Sequence, residues 1–439
     1  MAPPPDTAHE PHRPLEEFFG IDPRPTISSV LSGLGELVGA SLRRALDPRS
    51  TRLIVARGPI QEVRGVWYIL EEDLAMEVLS NVHGRYSVRG YAERADRSLG
   101  RFYLGCDRGA EYDAVGPTAN ALVGALQWDH GFDLALAAAR RALAGHAGPA
   151  RPDPEQVSHA VLTAACREWY GLPDTGDRVI EGEPWSGPPF PRLLDTGPPQ
   201  CPNDFVLLSA HIFFEDPLFP ITMGGRAAGA RLRLALQRHV RGYRLGEMDL
   251  PGTIACELGR RIEDDEALAS TLIGHVMGMV PTTKENFRQI IAAWRDDRSD
   301  FGEEAALAAA MRARIAAGDS EAAAARKTLV PAMTAAMLDD PTPVEIWRTV
   351  CVDHDLAGKR LEEGDVVVVA IERITQQAIT PADGSTPDFE SLDVRPVFGG
   401  DREPRDGRPG QEHACPGREV AMGLMAGMAW AVLETLDAA

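Results

Sequence analysis

Near the C-terminus a lone cysteine is followed at once by proline and glycine, in Gly410-Gln-Glu-His413-Ala-Cys415-Pro416-Gly417, and an apolar helical run from Val420 to Leu436 comes next. Proline is tolerated at the first position of a helix, where its missing N–H would be unpaired anyway. This order therefore predicts Cys415 at a helix N-cap. The free N–H groups and the dipole at such an end favour a thiolate. A thiolate is a metal ligand, and flanking glycines let a flat macrocycle approach the backbone. A cysteine before a helix is more often a buried structural thiol, so a second anchor is needed.

That anchor lies upstream. Pro341-Thr-Pro343-Val344-Glu-Ile-Trp-Arg348 leads through β-branched residues to Gly358, Gly364-Asp365 and the run Val366 to Val369. The pattern predicts a hairpin and then a buried strand. Together the two stretches resemble the cytochrome P450 superfamily, whose cysteine loop reads Phe-x-x-Gly-x-His/Arg-x-Cys-x-Gly before a long helix. His413, Cys415 and Gly417 match in register, whereas Arg408 and Gln411 stand where the Phe and first Gly belong. Phe398, ahead of an Arg/Asp/Gly/Pro-rich insertion, is the candidate for the displaced phenylalanine. The Pro-Val dipeptide, Arg348, Gly358 and Gly364 fit the family's order and spacing without gaps.

The resemblance implies a mainly α fold with small β-sheets, a long kinked central helix over a heme, and a proximal Cys loop. By it, Cys415 ligates the iron of heme b. Arg348 pairs with a propionate through its bidentate fork, His413 assists, and Gly417 and Gly278 lie against the cofactor. One motif is missing: Ala336-Met-Leu-Asp339 occupies the place of the family's Glu-x-x-Arg, and Glu345-Ile-Trp-Arg348 is a chance look-alike too close to the propionate arginine.

Asp264 to Trp294 reads as the longest helix, with acidic residues at its start and an almost uncharged middle, as a helix buried from all sides would have. Pro281 cannot donate to the carbonyl of Met277, which predicts a kink and a groove. The family carries an acid and two threonines at a comparable kink. Thr282 and Thr283 match, but Pro281 replaces the acid, so the acid–alcohol pair that relays protons to the oxidant is half absent. His275, two turns earlier on a similar face, is the candidate substitute beside Thr282, although interior histidines are commonly just satisfied. Met277, Met279 and Val280 suggest an apolar, adaptable distal wall.

The remaining chain adds context. At 439 residues and 44% hydrophobic content it can bury one large core, read as residues 16–439 after a disordered Pro-rich tail over 1–15. A net charge of −20 argues against nucleic acid as a general partner, and no long apolar run suggests a membrane span, so a cytoplasmic protein is expected. The six cysteines are scattered without Cys-x-x-Cys spacing. Arg52-Leu-Ile-Val-Ala and Gly65-Val-Trp-Tyr-Ile-Leu read as paired strands, and Glu71 to Asn81 as a helix. Residues 116–146 read as two helices interrupted near Asp129. Tyr112 and Gly116 stand where the family has a propionate-binding His-x-x-x-Arg pair. Residues 173–203 are a long Pro/Gly-rich loop. The aromatic run after it places Phe213 and Phe214 where the family roofs its substrate pocket.

The favoured expectation is a heme-thiolate oxidoreductase, a monooxygenase or a peroxide-dependent oxygenase or isomerase. It would oxidise or rearrange a small apolar organic substrate, in secondary metabolism, using dioxygen, a peroxide or a hydroperoxide. Arg402, Arg405, Arg408 and Arg418 form a basic cluster suited to an acidic ferredoxin, or simply a solvated loop. The alternatives are a heme protein of this fold without turnover (sensor, carrier or partner subunit) and a heme-free protein with a structural Cys415.

Overall fold

The computed structural model describes residues 58–63, 65–91, 100, 102–144, 151–172, 233, 236–237, 239–247, 251–296, 303–380, 391–404 and 409–437. The expected tail over 1–15, the strand Arg52–Ala56, the loop 173–203 and Phe213 and Phe214 lie outside these residues.

A short hairpin opens the described chain, β1 (Ile60–Val63) antiparallel to β2 (Val66–Ile69), with helix α1 (Glu72–Ser80) directly behind it. The partner of β2 is thus β1, beyond the predicted Arg52–Ala56. The two-residue strand β3 (Tyr86–Ser87) follows. The Ala/Leu-rich region forms the two expected helices, α2 (Ala110–Gly124) and α3 (Trp128–Leu143), but the first starts earlier than 116 and the break falls at 125–127, so that Asp129 lies in the first turn of α3. Helix α4 (Pro154–Tyr170) is capped by the Asp153 carboxylate and ended by Gly171 in the left-handed conformation (φ 65°). A short α5 (Ile254–Gly259) leads to the long helix α6 (Asp265–Arg295), whose N-cap Asp264 accepts from the amides of Glu266 and Ala267. Then come α7 (Glu304–Ala316) and α8 (Glu321–Asp339).

The β-rich segment forms β4 (Ile346–Val350), the small hairpin β5 (His354–Leu356) and β6 (Lys359–Leu361), and β7 (Val366–Val369). The larger sheet has the order β1-β2-β7-β4-β3, and only the β2–β7 pair is parallel. The all-valine β7 lies between β2 and β4 with Val367, Val368 and Val369 buried, which accounts for its lack of polar alternation. In the β4–β7 register Arg348 stands opposite Val367. Helix α9 (Ile371–Ile379) follows, and α10 (Arg418–Glu434) closes the fold, buried along nearly its whole length. The architecture is mainly α with two small sheets.

Close backbone contact fixes α10. A Cβ on Gly423 would collide with the carbonyl of Trp128, one on Gly427 with that of Phe132, and one on Gly131 with that of Val420. Glycines on both helices therefore let α3 and α10 approach backbone to backbone, which sets the position of the chain entering α10. Replacing Gly423 by Ala is expected to lower stability by about 1–3 kcal/mol through overpacking, measured by urea denaturation. A change within about 0.5 kcal/mol, as at an ordinary surface site, would show that the helices do not meet this tightly.

Candidate active site

Cys415 lies three residues ahead of α10, whose N-cap is Gly417, so the predicted N-cap position of the cysteine is corrected to a turn before the helix. The expected net lowering of the thiol pKa is not found, although the amide of Gly417 does hydrogen-bond the sulfur. Burial raises the thiol pKa, and this amide with the charges of Arg402 and Arg418 partly offsets that rise. Cys415 nevertheless has exposed surface. The residue lines a hollow together with Gly400, Asp401, Arg402, Pro416 and Arg418.

The loop around the cysteine is held by its own contacts. The Cys415 N–H donates to the Phe398 carbonyl at 2.9 Å, which brings the backbone of Phe398 against the cysteine. Gln411, at the family's glycine position, is 4% exposed. Its Oε1 accepts from the Asp401 N–H at 2.7 Å, its own N–H donates to the Asp401 carbonyl at 2.6 Å, and its Nε2 donates to the Pro409 carbonyl at 3.0 Å. A side chain at Gly400 would collide with Gln411, so the bare position and the glutamine go together. The Asp401 carboxylate joins Arg395 (2.8 Å) and Arg418. Burial opposes its ionisation, yet these two guanidinium groups hold its pKa below the usual carboxylate range. On α8, Ala336, Met337 and Leu338 are packed in the core where the family's Glu-x-x-Arg would begin, and the ion pairs that brace the cysteine loop arise within the loop.

Arg348, on β4, is 5% exposed and donates to the carbonyl of Trp347 at 2.8 Å. None of the described carboxylates pairs with it. Burial lowers its pKa, and Asp107, whose charge it feels, is itself held by Ser87 and the Val88 amide. His413 lies in the field of this guanidinium. Its Nδ1 is buried without a partner, and its pKa falls to about 3 through burial and the charges of Arg348, Arg402 and Arg108. A buried guanidinium without a described ion-pair partner, beside an unsatisfied imidazole, is a costly arrangement in a dry interior. It fits an anionic group lying against both.

The long helix carries Pro281 inside it, and Thr282 Oγ1 donates to the Gly278 carbonyl at 2.5 Å. The threonine therefore back-bonds where proline disturbs the ladder. Gly278 is exposed next to the buried stretch 268–277, and a Cβ there would meet nothing within 4 Å. Met277 (8% exposed) and Val280 (0%) pack into the core, and Met279 is partly buried against it. His275, Gly278 and Thr282 share one helix face by their i, i+3, i+7 spacing. His275 is buried and neutral, its pKa lowered to about 4 by burial, and its Nε2 lies 2.8 Å from the Tyr103 hydroxyl. Burial raises the pKa of both Tyr103 and Tyr170, with Cys415 a lesser contributor to each, and both rings lie 5.6 Å from His275.

Sequence reading overlooked Tyr103 and Asn120. The signal for Asn120 is its place on one face of α2 with Tyr112 and Gly116, at i, i+4, i+8. A Cβ at Gly116 would lie 2.9 Å from the Tyr112 ring, so these two departures from the family pattern form one packed unit. In the basic cluster, Arg402 donates to the Ala414 carbonyl and Tyr112 hydroxyl, and Arg418 pairs with Asp401, so both have partners within the fold.

Two outcomes are expected. Asp401→Ala should cost about 1–3 kcal/mol and accelerate exchange of the Cys415 amide; unchanged exchange would show that the loop is held elsewhere. A histidine whose folded pKa is about 4 and whose ordinary value is 6.5 binds its proton more weakly when folded. The native state therefore loses stability as pH falls through that window, by about 3 kcal/mol at its acid end. In His275→Gln this share of the acid-side loss should vanish from denaturation curves between pH 7 and 4; an unaltered slope would contradict it.

No family sequence model matches the chain, and no curated protein matches it. Solved structures do. A mutant of P450 EryK in complex with erythromycin B is 15% identical, covers 90% of this chain and 88% of its own, and superposes with a TM-score of 0.59. CYP154C4 from Streptomyces sp. W2061 is 17% identical over 88% and 86% of the two chains, with a TM-score of 0.58. Cytochrome P450SP alpha (CYP152B1) in complex with (R)-ibuprophen is 16% identical over 88% and 87%, with a TM-score of 0.57. The chain has the cytochrome P450 fold.

Proposed function

We propose that the chain is a heme-thiolate oxidoreductase acting on a small organic molecule. The observation that carries this reading is the proximity of the cysteine loop to Arg348: this buried guanidinium acts on the neutral His413, two residues before the exposed Cys415, and no described carboxylate forms an ion pair with it. The donor set suits heme b. Cys415 supplies a single sulfur with no cluster of further His, Cys, Asp or Glu ligands among the described residues, so a metal held there brings its other ligands with it. Arg348 and His413 would take the propionates, and Gly417 keeps the sulfur side uncrowded. Bound there, a heme supplies oxygen-transfer chemistry, with thiolate ligation favouring O–O cleavage.

The residues of this chain set the conditions for that chemistry. The loop staple at Asp401 and Gln411 fixes the sulfur. Gly278 leaves the face of α6 open for a substrate, with Thr282 at its rim and Met279 as its apolar border. The structures this chain resembles were solved with erythromycin B and (R)-ibuprophen bound, which accords with a small, largely apolar substrate. Pro281 offers no carboxylate, and the Thr282 hydroxyl is engaged with the Gly278 carbonyl. Both features favour a peroxide or hydroperoxide over dioxygen as oxidant, since such an oxidant arrives already reduced. An acidic ferredoxin as electron donor would have to dock on the arginines around the cysteine loop, of which Arg402 and Arg418 already have internal partners.

The reading is tested by spectroscopy and turnover on one preparation. The ferrous–carbonyl form should show the thiolate-type Soret band near about 450 nm, lost in Cys415→Ala. Hydrogen peroxide should drive oxidation of a small-molecule panel better than ferredoxin with dioxygen. A missing band, or one that persists without Cys415, removes the proposal. A normal band with silence in both assays favours a heme protein without turnover, a reading consistent with the Tyr112–Gly116 unit and the absent Glu-x-x-Arg.

A further inference from the structure

A chain of buried polar groups runs from the cysteine loop to the long helix. Arg402 donates to the Ala414 carbonyl at 2.8 Å through Nη1 and to the Tyr112 hydroxyl at 3.1 Å through Nη2. Asn120 Nδ2 donates to the same hydroxyl at 3.1 Å, and the Tyr103 hydroxyl donates to Asn120 Oδ1 at 3.0 Å. Tyr103 also meets His275 Nε2 at 2.8 Å. Tyr103, Tyr112, Asn120 and His275 are 4%, 3%, 7% and 5% exposed, so protons in this chain are not exchanged casually with solvent.

Counting donors fixes the imidazole. A phenol has one proton, and Tyr103 gives it to Asn120 Oδ1, which can only accept. The Tyr103 oxygen must then be the acceptor in its contact with His275, so Nε2 carries the hydrogen. In the neutral ring Nδ1 is left as a bare lone pair, and it is buried without a partner. His275 lies one turn before Gly278 on the same face of α6, where the surface is open.

We propose that Tyr103, Asn120 and Tyr112 are positioning residues that hold His275 in its Nε2–H tautomer, leaving Nδ1 to accept a hydrogen bond from the O–H of a peroxide bound over Gly278. The inference rests on the heme-thiolate reading. It assigns the task of the absent acid to an imidazole, oriented by a hydrogen-bond chain that begins at the cysteine loop. Burial also keeps this imidazole neutral, pushing its pKa to about 4, so that it can accept at neutral pH.

The test is histidine 15N NMR on the full-length protein in its diamagnetic ferrous–carbonyl form, with hydrogen peroxide as the kinetic probe. His275 should show a single tautomer with Nε2 protonated. Tyr103→Phe removes the acceptor and should give a mixture, and Asn120→Ala should free the Tyr103 proton for Nε2 and shift the ring toward Nδ1–H. His275→Ala should lower peroxide-driven kcat by about 100-fold with an intact Soret band. A wild-type Nδ1–H ring, a tautomer unmoved by both variants, or undiminished peroxide turnover in His275→Ala would each overturn the proposal. If the protein purifies without heme, the functional reading fails, while the tautomer of the same sample still decides whether the hydrogen-bond chain orients His275.

Discussion

A buried guanidinium, with no carboxylate in ion-pair contact among the described residues, is the constraint around which this site is arranged. Desolvating Arg348 is unfavourable, and the β4–β7 ladder gives its side chain little freedom to escape. His413 lies in the same field with an unsatisfied nitrogen, and Cys415 follows two residues later with accessible surface. A fold keeps such groups when something other than stability selects them, and on the proposed reading an anionic, sulfur-ligated cofactor would answer all three together.

The scaffold reaches this site by a route of its own. The cysteine loop is braced by Asp401 between Arg395 and Arg418 and by the buried Gln411 amide, contacts made within the loop and at the start of α10. Helix α10 is placed by backbone contact with α3, which only glycines allow. Tyr112 lies across Gly116 and joins a neutral hydrogen-bond chain instead of offering charges to a propionate. The Arg402–Tyr112 hydrogen bond links the cysteine loop to this unit.

Much of this was legible in the sequence because it is written in local periodicity. The valine run of β7, the Gly358 turn and the acidic cap and uncharged middle of α6 all depend on neighbours a few residues away. Cys415 was misplaced at the N-cap because Pro416 and Gly417 form a turn before the helix begins at Arg418. The Tyr103–His275 bond joins residues 172 apart and the Trp67–Asp365 bond residues 298 apart, and no window of sequence contains both partners. Gln411 looked like a defect in a motif; only its bonds to Asp401 reveal it as a staple.

The account turns on whether residue 415 places sulfur on a metal. X-ray absorption at the iron edge of the purified protein answers this directly. One sulfur neighbour in the wild type, absent in Cys415→Ser, is the predicted result. An iron surrounded only by nitrogen and oxygen, or a purified protein that binds no iron, would contradict it.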